Sequence, residues 1–272
     1  MVDPILISGL VSVSMASIIA GMSSVLITYT KTQFLALESL HIMVIASGLV
    51  GISVSWYQPL IPSDFVSYLV MAVLALIVAM IMDRGLSQDL SIGFAVVISS
   101  LIASLSSYHI ATKIPGGVSY IYSLIFGNPF LLPRDVIIIY IVIGVVIYLL
   151  IITMWRSFLY MSFDPEYFEM IRGGVRLYRW VLYIIIAISS IYTTRLVGAI
   201  PTLVILMIPG MASQEVGSSS YILGVLFTLA SSITAIMISY IFDTPYGFTL
   251  GLTSIALYIF LLSMRLRGYG GK

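Results

Sequence analysis

An all-α, polytopic transmembrane helix bundle of eight or nine spans is the fold class predicted for this 272-residue chain. Three observations predict it. The chain is 60% hydrophobic and only 8% charged, against about a quarter charged in soluble domains. Its mean hydropathy is +1.14. Many windows exceed the roughly 18 apolar residues that mark a membrane span. No stretch is polar enough to form a second, soluble unit, so residues 1–272 read as a single integral membrane domain.

The spans follow in order. The first apolar run begins at Pro4 with no basic residue before it and no small-residue cleavage site after it. Ile5–Tyr29 therefore reads as a retained first span and not as a removable signal. Further runs fall at 34–57, 65–82, 91–110, 135–155, 177–194, 196–213, 216–241 and 246–264. Pro201 and Pro209 interrupt the member that begins at 196; a re-entrant or broken helix there gives eight spans, a continuous one nine.

Orientation follows from Lys and Arg in short loops. With nine spans and the N-terminus outside, Lys31, Arg84, Arg156, Arg172, Arg176, Arg179, Arg265, Arg267 and Lys272 all fall inside. Only Lys113, Arg134 and Arg195 fall outside. The C-terminus is then cytoplasmic, and 157–176 is the longest polar segment on that side.

That segment contains SFDPEYFEMIRGG, Ser162 to Gly174. Asp164 suits an N-cap, and Pro165 the first helical position, where a missing N–H costs nothing. Glu166 and Glu169 complement the positive end of the helix dipole and Arg172 the negative end. Gly173 and Gly174 stop the helix. Phe163, Tyr167, Met170 and Ile171 share one face at helical spacing. A helix of about two turns is marginal alone in water, so it must dock, either on the lipid surface or in a cytoplasmic partner.

Other residues stand out for their depth. Glu38 and His41, three apart in the second span, are neighbours on one helix face. Ionisable groups inside a span are costly and mark function by default. A carboxylate with a neutral imidazole can bind a first-row divalent metal; equally, the two can hydrogen-bond each other or a neighbouring helix. His109 reads as an interfacial residue and Asp243 as a helix cap. Pro201 and Pro209 free backbone carbonyls, which are tolerated at membrane depth where protein or a water-filled pathway satisfies them.

Enzymatic readings find little support. No H-E-x-x-H metalloprotease motif and no G-x-x-x-x-G-K-[ST] phosphate loop occurs, and the terminal GYGGK lacks the spacing of the latter. The absence of Cys removes disulfides and thiolate ligands, and no basic patch suggests nucleic acid.

The segment SFDPEYFEMIRG resembles the cytoplasmic coupling segment of the ABC-3 family, the permease subunits of bacterial and archaeal zinc, manganese and iron importers. Three more segments match in order: FGNPFLLPRD (Phe126 to Asp135), VGAIPTLVILMIPGMAS (Val197 to Ser213) and FDTPYG (Phe242 to Gly247). The resemblance implies that Phe163, Asp164, Pro165, Glu166, Tyr167, Ile171 and Gly173 couple the chain to an ATPase. It implies metal passage at Glu38 and His41, where the family carries an acid four residues before its histidine and this chain carries Glu38 three before His41. Pro201, Pro209 and Asp243 become candidates for the pathway or its gating. It also implies a homodimer, two cytoplasmic ATPase subunits on separate chains, an extracellular metal-binding protein, and a place in the plasma membrane. No permanently bound cofactor is expected; the divalent ion is cargo. A related scaffold that imports metal chelates such as siderophores or cobalamin is the alternative.

Overall fold

The computed structural model describes residues 3–33, 41–85, 87–131 and 134–269. Among them the chain forms eleven α-helices and one short 3-10 turn at Pro129–Leu131. Seven helices are long and apolar enough to cross a membrane: α1 (Pro4–Tyr29), α3 (Ser63–Asp83), α4 (Gln88–Lys113), α6 (Arg134–Phe163), α8 (Val175–Val197), α10 (Tyr221–Phe242) and α11 (Tyr246–Tyr269). The shorter ones are α2 (His41–Tyr57), α5 (Gly117–Phe126), α7 (Pro165–Ile171) and α9 (Ala199–Glu215). Each of the nine apolar runs read from the sequence overlaps a helix among the described residues; α5 was not among them.

Helix α1 is the central post. Asp3 caps it, its carboxylate accepting from the Ile5 amide at 2.9 Å, with Pro4 in the first turn. It packs against α6, α8, α9 and α10. Its crossing with α10 is as close as backbones allow, since a Cβ on Gly21 would stand 2.7 Å from the Gly224 carbonyl oxygen. Small residues at such crossings are how membrane helices gain contact without a hydrophobic drive between them. Gly21→Val is expected to cost about 1–3 kcal/mol by forcing the pair apart, read as a lowered Tm of the purified chain.

The buried polar residues of the described interior are serines and threonines. Most return their hydroxyl to the preceding turn, as Ser17 does to Val13 O (2.7 Å), Ser189 to Ile185 O (2.8 Å) and Thr193 to Ser189 O (2.7 Å). The helix satisfies them itself, so they need no partner across the bundle. A large core runs through α1, α3, α6, α8, α9 and α10, and Met43 and Val44 of α2 and Ile92 and Ala95 of α4 join it. A second, separate one is small: Leu49 of α2, Ile110 of α4 and Leu124 of α5, with Ile114.

Two points depart from the sequence reading. Helix α6 runs 30 residues to Phe163, so Ser157–Phe163 are its last turns and not loop. Nothing before Pro165 breaks the run, and at 1.5 Å per residue the helix is about 45 Å long, well over the roughly 30 Å of hydrocarbon. The prolines of α9 do not break it either. Pro201 lies in its first turn, and Pro209 lies inside a continuous helix. There the neighbouring Gly210 amide donates to Ser24 Oγ of α1 at 2.7 Å, so α1 supplies the local partner. The real interruption is one residue, Gly198, which ends α8 and starts α9 with φ +97°.

Side-chain contacts sort the helix ends into two sets. One end, the α7 end, joins Tyr29 to Ser162, Asp83 to Arg176 and Arg179, and Glu215 to Arg265. The far end joins Asp3 to Tyr240, Tyr57 to His109, and Asp64 to Arg195.

Candidate functional site

Helix α7 is built as the sequence predicts and fixed more firmly. The Asp164 carboxylate accepts from the Tyr167 amide at 2.9 Å, with Pro165 in the first turn. At the other end Gly173 and Gly174 take φ +69° and +75°, a left-handed conformation that glycine adopts without penalty. Two hydrogen bonds and a ring contact then hold α7 between its neighbours. Arg172 donates to Ser157 Oγ of α6 at 2.5 Å. The Glu169 carboxylate accepts from the Val175 amide at 2.7 Å, capping α8 across the glycine pair. Phe168 is 5% exposed and meets Tyr178 of α8 edge-on, ring centres 5.0 Å apart.

The outward face is the opposite in character. Phe163, Tyr167, Met170 and Ile171 are 69%, 58%, 78% and 63% exposed. Tyr167, Met170 and Ile171 lie on α7, whereas Phe163, which the sequence reading placed on the same helix face, is the last residue of α6, on the other side of the Asp164 cap. Phe168 is the residue that reading missed. Its position, about a quarter-turn from Tyr167, gives the short helix apolar side chains on two faces, one packed on α8 and one exposed.

Two cavities open at the far end. One, of about 440 Å³, is lined by Ser55, Trp56, Tyr120, Asn128 and Arg195 among others. The second, of about 570 Å³, lies between Asn128–Phe130, Ile200–Pro201 and Thr244–Phe248. Three of the four quoted sequence segments meet here. Gly127 and Gly198 stand backbone to backbone, and a Cβ on Gly247 would lie 3.2 Å from the Pro201 ring. Short-range sequence reading had no means of bringing them together.

The remaining candidates are dispersed. Pro201 lines the second cavity, while Pro209 is buried in α9. Asp243 is exposed and forms the left-handed C-cap of α10, with φ +51°. His109 bonds Tyr57 at 2.9 Å. Glu38 lies outside the described residues; His41 opens α2, but its side chain is outside them too. Among the described residues no group of three or more His, Cys, Asp or Glu is placed to hold a metal ion.

A bundle of long apolar helices, buried serines and threonines, and a short amphipathic helix fixed at one end defines a multi-pass membrane protein. It belongs to the ABC 3 transport family, whose profile matches residues 2–266. The chain is similar to a probable iron transport system membrane protein of Haemophilus influenzae, 25% identical over 52% of this chain and 53% of that one. It is also similar to the manganese import system permease protein ScaB of Streptococcus pneumoniae, 25% identical over 51% of each. The chain thus spans about half the length of the curated relatives it matches. In fold it is similar to PsaBC of Streptococcus pneumoniae, solved in complex with a Fab, with TM-score 0.78 and 20% identity over 94% of this chain and 90% of that one. A structure described as an inward-facing metal-chelate type ABC transporter matches at TM-score 0.67 and 14% identity, over 96% and 86%.

Proposed function

We propose that the chain is the membrane permease subunit of an ATP-driven importer of divalent transition metal ions: zinc, manganese or iron. The carrying observation is α7: a helix too short to stand alone, locked to α6 and α8, with three apolar side chains, Tyr167, Met170 and Ile171, turned outward beside Phe163 at the end of α6. Such a helix suits a groove in an ATPase subunit, whose closure it passes to the spans. The α7 end also gathers Asp83's partners Arg176 and Arg179, Arg172 at α7's own C-cap, and Arg265. Read by the positive-inside rule, that end is cytoplasmic, the N-terminus outside, and nine segments cross. Two copies line a pathway, an extracellular protein delivers the ion, and hydrolysis on separate ATPase chains drives alternating access. Glu38 and His41 are the residues of this chain proposed to meet the ion.

The test is ATP-dependent uptake of zinc, manganese and iron into vesicles holding the chain, its ATPase and its binding protein. Uptake of one metal is expected, and its loss in both Glu38→Gln and His41→Ala. Uptake indifferent to both substitutions would move the ligands elsewhere. A second reading, import of metal chelates, is favoured by the likeness in fold to the metal-chelate type transporter. Uptake of chelates with none of the free ions would select it.

A further inference from the structure

Helices α3 and α8 are antiparallel and bolted together at both ends. At the α7 end Asp83, its side chain only 6% exposed, lies 3.0 Å from Arg176 Nε and 3.4 Å from Arg179 Nη1, and accepts from Trp180 Nε1. The Arg176 guanidinium also sits 5.8 Å over the Trp180 ring. At the far end Arg195 donates through Nη2 to Ser67 Oγ at 2.5 Å. Its Nε stands 3.2 Å from Asp64 Oδ1, an ion contact without hydrogen-bond alignment. Nineteen residues separate Asp64 from Asp83, about 28 Å at 1.5 Å per residue. Neither helix can slide or turn on the other without opening one of these clusters.

The near end of this pair is where α7 is attached. Gly173 and Gly174 would by themselves make a loose joint, but the Glu169–Val175 bond and the Phe168–Tyr178 contact bypass them. The far end carries Arg195 in the wall of the 440 Å³ cavity, with Ser63 beside Asp64. Helix α2 rides on the same pair: a Cβ on Gly51 would collide with Ser67 and the Ser63 carbonyl.

We propose that α3 and α8 form one rigid strut driven by α7, and that the Arg195–Asp64 pair at its far end gates the 440 Å³ cavity. This rests on the coupling reading of α7. Displacement of α7 tilts the strut whole, moves Arg195 and Asp64 together, and carries α2 with them. Coupling between distant sites then runs through a single element with two positions, which is the physical requirement for it.

The chain has no cysteine, so spin labels can be placed in pairs without background. One pair, Phe65→Cys with Leu177→Cys, spans the strut from far end to near end on exposed positions. The other, Phe65→Cys with Ile241→Cys, crosses the far end to α10. Distances are measured in the assembled complex with its ATPase subunits in nanodiscs, nucleotide-free and after trapping with ATP and vanadate. The strut distance is expected to stay constant while the cross-bundle distance shifts. In Asp83→Asn the shift should vanish and uptake fall about tenfold, a typical coupling loss, with ATPase association kept. Arg176→Gln, at an exposed partner of Asp83, carries the same readout should Asp83→Asn not assemble. A strut distance that changes with nucleotide, or a full shift in both variants, overturns the proposal and leaves the coupling reading standing. Failure of the wild-type chain to hold an ATPase removes both.

Discussion

Met170 and Ile171 both replaced by glutamate should leave a chain that folds as before and no longer holds its ATPase subunits. At 78% and 63% exposure the two side chains contribute little to the bundle, and surface substitutions of this kind stay within about 0.5 kcal/mol. In a docked groove each would contribute roughly 1.5–3 kcal/mol of burial. Losing both weakens association by at least about a hundredfold, since each 1.4 kcal/mol is tenfold, and the new carboxylates add their desolvation. Co-purification of the ATPase and the Tm of the free chain together check this. An unchanged Tm with no bound ATPase is the expected pair of results; an ATPase still bound would return α7 to the lipid surface. Phe168→Ala separates the two faces of the helix. Truncating that buried ring is expected to cost about 3–5 kcal/mol and to lower the Tm as well.

The largest effect on the fold itself is expected at Gly198. Its φ of +97° with ψ 161° lies where only glycine is at ease, a penalty of order 1–3 kcal/mol for other residues. Space is also lacking. A Cβ would stand 2.5 Å from the Gly127 amide nitrogen and 2.6 Å from the Phe126 carbonyl carbon. Those atoms are backbone and cannot swing aside. Gly198→Val should therefore abolish recovery of monodisperse protein, whereas Gly93→Ala and Gly251→Ala, both in open space, should be silent. A well-recovered Gly198→Val chain would show that the α8–α9 joint tolerates what this geometry forbids.

The helices were legible because a membrane imposes long apolar runs on its spans, and each run read from the sequence overlaps a helix among the described residues; seven of these helices are long and apolar enough to cross a membrane. Helix α5 was not, because ten residues between Gly116 and Gly127 carry too short a pattern to separate from loop. Helix α7 was legible to the residue, since Asp164, Pro165 and the glycine pair are local signals that act within one or two turns. Its fastening was not: Arg172–Ser157 spans 15 positions and Phe168–Tyr178 spans two helices. The same holds for Asp83, which nothing in the sequence singles out and which α8 surrounds with Arg176, Arg179 and Trp180. Arg195 read only as one of three basic residues on the outer side; its pairing with Asp64 crosses 131 positions. Composition finds helices and caps find their ends, but partners across a bundle leave no local trace.

The small second core has a consequence for where the protein's firmness comes from. Besides these four buried side chains, α2 and α4 place Met43, Val44, Ile92 and Ala95 in the large core, while Phe94, Val97, Leu101 and Leu105 of α4 face outward. Where that flank meets lipid, acyl chains supply the packing that a protein interior supplies elsewhere. The thickness and fluidity of the host bilayer thereby enter the mechanics of the chain, and the lipid becomes a working part of it.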